Sequence, residues 1–370
     1  MSFKQKINVI LKFAAKPHIL FYTLPWLMIL LVLGTISQKN MGIFDAQQMY
    51  FSSWVLFLGP IPLPGGFLTL ALIFITLLVK FVFYSEWSFK KSGIILTHFG
   101  VLILLFGGLI TSQYAHESFM TIPEGQSVSS LSEYKERIIE LSKNGEVIAS
   151  IDYNDIRTGP LFKTNNLPFN IKIASFCHNC TMQFQDEEIA KTAHGMAQKV
   201  ELQDIPEEKE KEGNLSGAMI VIEGADKNVN GRHLLMESVS ETLEIPHKEN
   251  TYTVKIGRVQ IPLPFAIKLI DFRRVVYPGT NKPKGFESDI IIQDNSVEWP
   301  VTIRMNEPAR YKGYTFYQSS FVQSKNQEIT VLNVVNNIGR TFPYIASLII
   351  FIGLLIHSCL KLNQHKRKKT

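Results

Sequence analysis

Residues 90–111 read "KKSGIILTHFGVLILLFGGLIT". A membrane-spanning helix needs about 20 mostly apolar residues, and this run supplies them. His98 nevertheless lies well inside it. Burying an ionisable side chain in hydrocarbon costs free energy, so His98 is a functional candidate from the outset. Three further stretches have the same apolar character: 19–36, 67–84 and 342–360. With 93–111 they predict four transmembrane helices, three N-terminal and one C-terminal. The first follows a basic start, contains Pro25 and has no small-residue cleavage pattern after it, so it reads as a retained anchor.

The chain therefore divides into an N-terminal membrane region (1–112), a mostly polar segment (113–340) and a final helix with a basic tail (341–370). The polar segment is long enough for its own core. It contains alternating runs on either side of Asn144-Gly145, a strong hairpin signal. "SGAMIVIEG", "NTYTVKIGRV", "ESDIIIQD", "WPVTIRMN" and "NQEITVLNVV" are further strand-like runs bounded by turn residues. The charged 206–214 reads as a solvated loop. The expected class is an α+β membrane protein with a large β-rich domain.

That domain shows signs of internal duplication. "LPFNIKIASF" (167–176) and "LPFAIKLIDF" (263–272) share six of ten positions. "LQD" (202–204) then matches "IQD" (292–294), and "GRHLLMES" (231–238) matches "GYTFYQSS" (313–320). The copies would span about 127–238 and 239–321. Shared strand alternation alone accounts for the later matches more easily than for the first.

Orientation follows from basic residues near the helix ends. Lys4, Lys6, Lys12 and Lys16 precede the first helix without an acid, Lys90 and Lys91 outweigh Glu86 before the third, and the tail carries Lys361, Lys366, Arg367, Lys368 and Lys369. If the helices alternate, all three groups share one side. Both termini are then cytoplasmic and the β-rich domain, with a net charge of about −5, is extracytoplasmic. The basic tail reads as a headgroup anchor rather than a nucleic-acid site.

On a helix, Gly93, Thr97, Gly100, Gly107, Gly108 and Thr111 form one stripe where another helix can approach closely. His98 points away from it, which suits a site completed by another helix or a partner. The competing reading is a histidine hydrogen-bonded to a neighbouring carbonyl. His357 lies at a similar depth in the last helix and His18 at the inner edge of the first; both read as interfacial, with His357 the alternative ligand.

"CHNC" (177–180) lies on the outer side, where disulfides persist. It is not a haem-attachment motif, because Thr181 follows in place of histidine. Three readings remain open: a structural disulfide, a thiol pair exchanging with thiol-reducing proteins, and a zinc site with His178 or His194. In the loop 37–66, "MYFSSWVLFLG" reads as an interfacial segment. Arg310, Tyr311, Tyr314, Tyr317 and Gln318 are candidates for a partner surface or for ordinary strand packing. No phosphate loop, Ser-His-Asp arrangement or paired carboxylates stand out.

The second copy continues as "FESDIIIQDNSVEWPVTIRMNEPARYKGYTFYQSSF" (286–321). The run Asn306-Glu307-Pro308, Tyr311-x-Gly313-Tyr314-x-Phe316-Tyr317-Gln318-Ser319-Ser320 follows a "Leu-Pro-Phe … Asp-Phe" strand. This resembles the ResB (CcsB) family of cytochrome c biogenesis proteins, as does the three-plus-one helix layout with a histidine early in helix three. The resemblance implies a bacterial cytoplasmic (inner) membrane protein of system II. Such a protein works with a ResC/CcsA-like membrane partner to carry haem b outward and attach it to Cys-x-x-Cys-His motifs of apocytochrome c. It implies that His98 is one axial haem ligand and that the partner supplies the other. The family's Trp-rich haem-handling motif belongs to that partner; Trp26, Trp54, Trp87 and Trp299 form no such cluster, so the likeness is to ResB alone. It implies nothing about Cys177 and Cys180. Other readings of the chain are a membrane thiol–disulfide protein acting through that pair, and a non-catalytic membrane scaffold.

Overall fold

The computed structural model describes residues 3–162, 167–184, 191–209, 213–280, 282–324 and 327–367. They form two compact units, Met1–His116 with Asn336–Thr370, and Glu117–Val335.

The first unit is helical: α1 (Phe3–Ala14), α2 (Pro17–Ala46), α3 (Gly66–Phe83), α4 (Ser92–Tyr114) and α5 (Phe342–Arg367). Among the described residues, four helices are long and apolar enough to cross a membrane, containing α2, α3, α4 and α5. Helix α1 was not anticipated, because its lysines are spread among the apolar residues of a short segment. Helix α2 outruns the expected 19–36. Ser37 to Asn40 are polar but not helix-breaking, and the first break is Gly42, whose φ of 84° is left-handed. A π turn (Gln47–Phe51) then leads into a hairpin of β1 (Val55–Leu58) and β2 (Ile61–Pro64). This corrects the reading of 37–66 as a loop. Trp26 Nε1 donates to the Pro64 carbonyl at 2.8 Å, tying the hairpin to α2.

Helices α4 and α5 run antiparallel with their backbones unusually close. A Cβ at Gly93 would sit 2.4 Å from the His357 nitrogen, one at Gly100 2.6 Å from Ile350 Cγ1, and one at Gly107 2.2 Å from Phe342 Cβ. The partners on α5 are small too: Ala346 is fully buried, and a Cβ at Gly353 would meet Thr97 Oγ1 at 2.6 Å. Gly93, Gly100 and Gly107 recur every seven residues, as do Gly339, Ala346 and Gly353. A seven-residue repeat keeps one seam facing the neighbour in a left-handed supercoil. Gly108, placed on the stripe by the sequence, has nothing within 4 Å. One residue beyond Gly107 it is turned by about 100° away from the seam.

The second unit is β-rich. Its strands are β3 (His116–Pro123), β4 (Ser127–Lys143), β5 (Glu146–Asp152), β6 (Gly159–Pro160), β7 (Asn170–Cys177), β8 (Cys180–Phe184), β9 (Val200–Asp204), β10 (Gly217–Glu223), β11 (Gly231–Met236), β12 (Thr242–His247), β13 (Asn250–Val276), β14 (Pro283–Asp294), β15 (Val297–Arg304), β16 (Ala309–Tyr311), β17 (Tyr314–Ser324) and β18 (Gln327–Asn336). The large sheet runs β15-β14-β13-β4-β3-β18-β17-β16, with β5 added to β4 and β12 to β13. A second sheet runs β11-β10-β7-β6.

Strand β13, 27 residues long, serves two cores. Its first part buries Tyr252, Val254 and Ile256 against β7 and β10 residues such as Ile171, Ile173 and Ile220. Its second part buries Leu263, Phe265, Ile267 and Leu269 with Ile290, Ile292 and Phe316. The buried positions switch from even to odd numbers across register shifts between Arg258 and Ile267. Because side chains alternate with period two, such an irregularity lets the strand keep burying apolar residues past it.

The first "LPF" run leads into β7 and the second lies within β13, and the residues that follow each pair antiparallel with a later strand, Asn170 opposite Glu223 and Ala266 opposite Gln293. The later sequence matches do not correspond in the same way. Leu202 lies in β9, which pairs with β8, whereas Ile292 lies in the partner of the second "LPF" strand.

Candidate functional site

His98 is placed by what surrounds it on α4. The helix starts directly after Lys90 and Lys91, seven residues before the histidine, so the ring lies roughly 10 Å along the axis from Lys91. The glycine seam turns one face of α4 onto α5, and His98 is exposed on another. Among the described residues none hydrogen-bonds the imidazole. The neighbouring-carbonyl reading therefore has no counterpart in the described structure.

His98 instead lines a cavity of about 470 Å³ between α3, α4 and the start of α2. Apolar walls come from Leu20, Leu77, Phe81, Ile94 and Ile95. Phe81 stacks on Phe99 at 5.9 Å, which closes α3 onto α4 beside the histidine. Lys80, Tyr84, Ser85, Glu86 and Lys91 line the same cavity toward the ends of α3 and α4. Lys91 forms an ion pair with Glu86, and this ammonium holds the Glu86 carboxyl below its usual range. A neutral imidazole on the wall of an apolar slot can ligate a haem iron, and a slot between helices of this size suits such a ligand.

His357 does not share this cavity. Its backbone packs against Gly93, on the seam side of α4. His18 packs edge-on to Phe13 at 6.5 Å and does not line the cavity either.

Cys177 and Cys180 form a disulfide across the turn from β7 to β8, both nearly fully buried. Tyr153, buried beside them, donates to the carbonyls of Cys177 at 3.1 Å and Gly217 at 2.6 Å. His178 packs edge-on to Tyr153 at 5.4 Å. His194 hydrogen-bonds the Asn230 carbonyl at 2.8 Å and stacks on His233 at 5.1 Å. Among the described residues no group of three or more His, Cys, Asp or Glu is arranged to hold a metal ion.

Of the expected partner surface, Arg310 and Tyr317 are exposed and Tyr311, Tyr314 and Gln318 are half-buried. Tyr311 and Tyr314 lie edge-on to Phe265 at 5.0 and 5.9 Å, and Tyr311 donates to Asp294 at 2.7 Å. Gln318 is turned inward, accepting from Ser288 Oγ at 2.6 Å and donating to Thr330 Oγ1 at 3.0 Å.

One polar constellation escaped the sequence reading. Arg137 Nε donates to Glu237 Oε2 at 2.8 Å, and the same oxygen accepts the Ser216 amide at 3.0 Å. Arg258 Nε stands 3.7 Å from Glu237 Oε1 and its guanidinium covers the Phe119 ring at 5.2 Å. Arg137 and Glu237 are both buried. They are 100 residues apart, and no local pattern connects them.

Comparison with known proteins places the chain in a family. A family model described as "ResB-like family" matches residues 87–211 and 236–342, more than half of the chain. These spans contain Lys91, His98, the disulfide pair and 311–318, and stop short of His357. The chain is similar to "Protein NrfI" of Wolinella succinogenes, with 34% identity over 101 residues, 27% of this chain. The match covers 11% of that protein's length. With the family model spanning its third membrane-competent helix and most of its β-rich unit, the chain belongs to the ResB-like family.

Proposed function

We propose that this chain is a cytochrome c biogenesis subunit that receives haem b in the membrane through His98 and, with a ResC/CcsA-like partner, passes it outward for attachment to apocytochrome c. The observation that carries this reading is an unengaged imidazole on the wall of an apolar cavity between spanning helices. The partner supplies the second axial ligand, since His357 lies on the other side of α4. Basic residues at the ends of α2, α4 and α5 support cytoplasmic termini and an extracytoplasmic β-rich unit in a bacterial inner membrane. His98 then sits in the cytoplasmic half of the bilayer, where haem enters. Covalent attachment adds the apocytochrome Cys thiols across the haem vinyl groups, and this subunit contributes positioning. The paired "LPF" strands support an ancestral duplication of the β-rich unit.

The buried state of Cys177 and Cys180 favours a structural disulfide over a thiol pair that exchanges with reductants. The decisive experiment is the visible spectrum of the complex purified after co-expression with its partner. The expected result is a six-coordinate haem signal that is lost in His98→Ala. Absence of haem from the wild-type complex, or its full retention in His98→Ala, overturns the proposal.

A further inference from the structure

The cavity beside His98 is chemically two-ended. The end farther from the helix termini offers an imidazole, and apolar walls come from Leu20, Leu77, Phe81, Ile94 and Ile95. Its rim carries two ammonium groups. Lys80 lies three residues before the end of α3, about 5 Å from that end along the axis, and Lys91 immediately precedes α4. The ionisable groups lining the cavity are Lys80, Tyr84, Glu86, Lys91 and His98. Among the described residues Lys80 has no ion-pair partner, whereas Lys91 is held by Glu86. A ligand that filled the apolar-walled cavity and reached His98 would present its other end to these lysines. The chemistry that fits that end is carboxylate.

We propose that Lys80 and Lys91 anchor the carboxylates of the cargo, and that Glu86 occupies Lys91 as a built-in competitor that the incoming carboxylate displaces. This rests on the reading of His98 as a haem ligand and adds to it the polarity of binding: iron inward, propionates at the rim. Glu86 and Lys91 are five residues apart on the short segment joining α3 to α4, so the pair forms without moving either helix. Exchange of one carboxylate for another at Lys91 leaves the charge around that ammonium unchanged. The lysine need never stand unpaired, while Lys80 provides attraction that Glu86 does not cancel.

The test compares ferric haem b with its dimethyl ester, whose carboxylates are blocked, titrated into the full-length chain in lipid nanodiscs and read by Soret absorbance. Lys80→Gln and Lys91→Gln should each weaken haem binding by about five- to tenfold, the range of a charge-assisted contact. Both should leave the ester's affinity unchanged. Glu86→Gln should tighten haem binding severalfold and likewise leave the ester unchanged. Lysine variants that affect neither probe, or both equally, overturn this inference. If they do so while His98→Ala still abolishes the axial signal, only the anchor assignment falls. If His98→Ala leaves the spectrum intact, the function proposed above falls with it.

Discussion

Gly93→Ala and Gly108→Ala are one methyl group each on the same helix, yet the structure separates them sharply. A Cβ at Gly93 would stand 2.4 Å from the His357 nitrogen and 2.7 Å from the Gly353 carbonyl, and both are backbone atoms. Ordinary contact begins near 3.4 Å, so α4 and α5 must part by about 1 Å at that point. A gap of that size forfeits a quarter to half of the dispersion well for the contacts it opens, and overpacking of this kind costs about 1–3 kcal/mol. At Gly108 nothing lies within 4 Å, so only the helix-propensity gain of about 1 kcal/mol remains. That gain applies to both substitutions and cancels in the comparison. Gly93→Ala should therefore be less stable than Gly108→Ala by about 1–3 kcal/mol. Gly100→Ala should fall between them, because its nearest obstacle is the side-chain atom Ile350 Cγ1. The assay is the temperature at which half the detergent-solubilised protein is lost from the monodisperse gel-filtration peak. A domain of this size moves by about 2–4 °C per kcal/mol. Equal midpoints for Gly93→Ala and Gly108→Ala would refute the close-packed seam, and with it the argument that orients His98.

Further outcomes concern the β-rich unit. Glu237→Ala leaves Arg137 buried without its carboxylate and should cost about 3–5 kcal/mol, measured as lost hydrogen-exchange protection of β4 and β11; Arg137→Met with Glu237→Leu should recover most of it. His233 is buried, and burial first, then the neighbouring His194, holds its pKa below the ordinary 6.5. The unfolded chain then binds the extra proton, so stability should fall as pH drops below about 6.5, and His233→Gln should flatten that slope in hydrogen-exchange profiles. Replacing both Cys177 and Cys180 by Ser opens a very short loop and should cost about 2 kcal/mol by the chain-entropy relation while haem binding persists. Lost cytochrome maturation restored by an added small-molecule thiol would instead establish the exchanging pair.

The legible features of this chain are the local ones. An apolar run of about 20 residues is a membrane span wherever it is folded, so four helices could be read directly. Asn144-Gly145 takes φ values of 50° and 87° at the turn between β4 and β5, as the hairpin signal requires. Helix ends were less legible: Ser37 to Asn40 look like a loop but remain in α2, because polarity does not end a helix while backbone geometry at Gly42 does.

The sequence by itself determined the spans, the period-two patterning of the β-rich unit and an out-of-place histidine, because each depends on residues within a few positions of one another. Tertiary structure alone decided that Gly93, Gly100 and Gly107 meet α5 while Gly108 does not, that Arg137 meets Glu237, and that His98 and His357 part to different sides of α4. It also decided that His98, Lys80 and Lys91 line one cavity. These depend on how helices rotate and strands register against distant neighbours, and contacts between segments far apart in the chain leave no local periodicity to read.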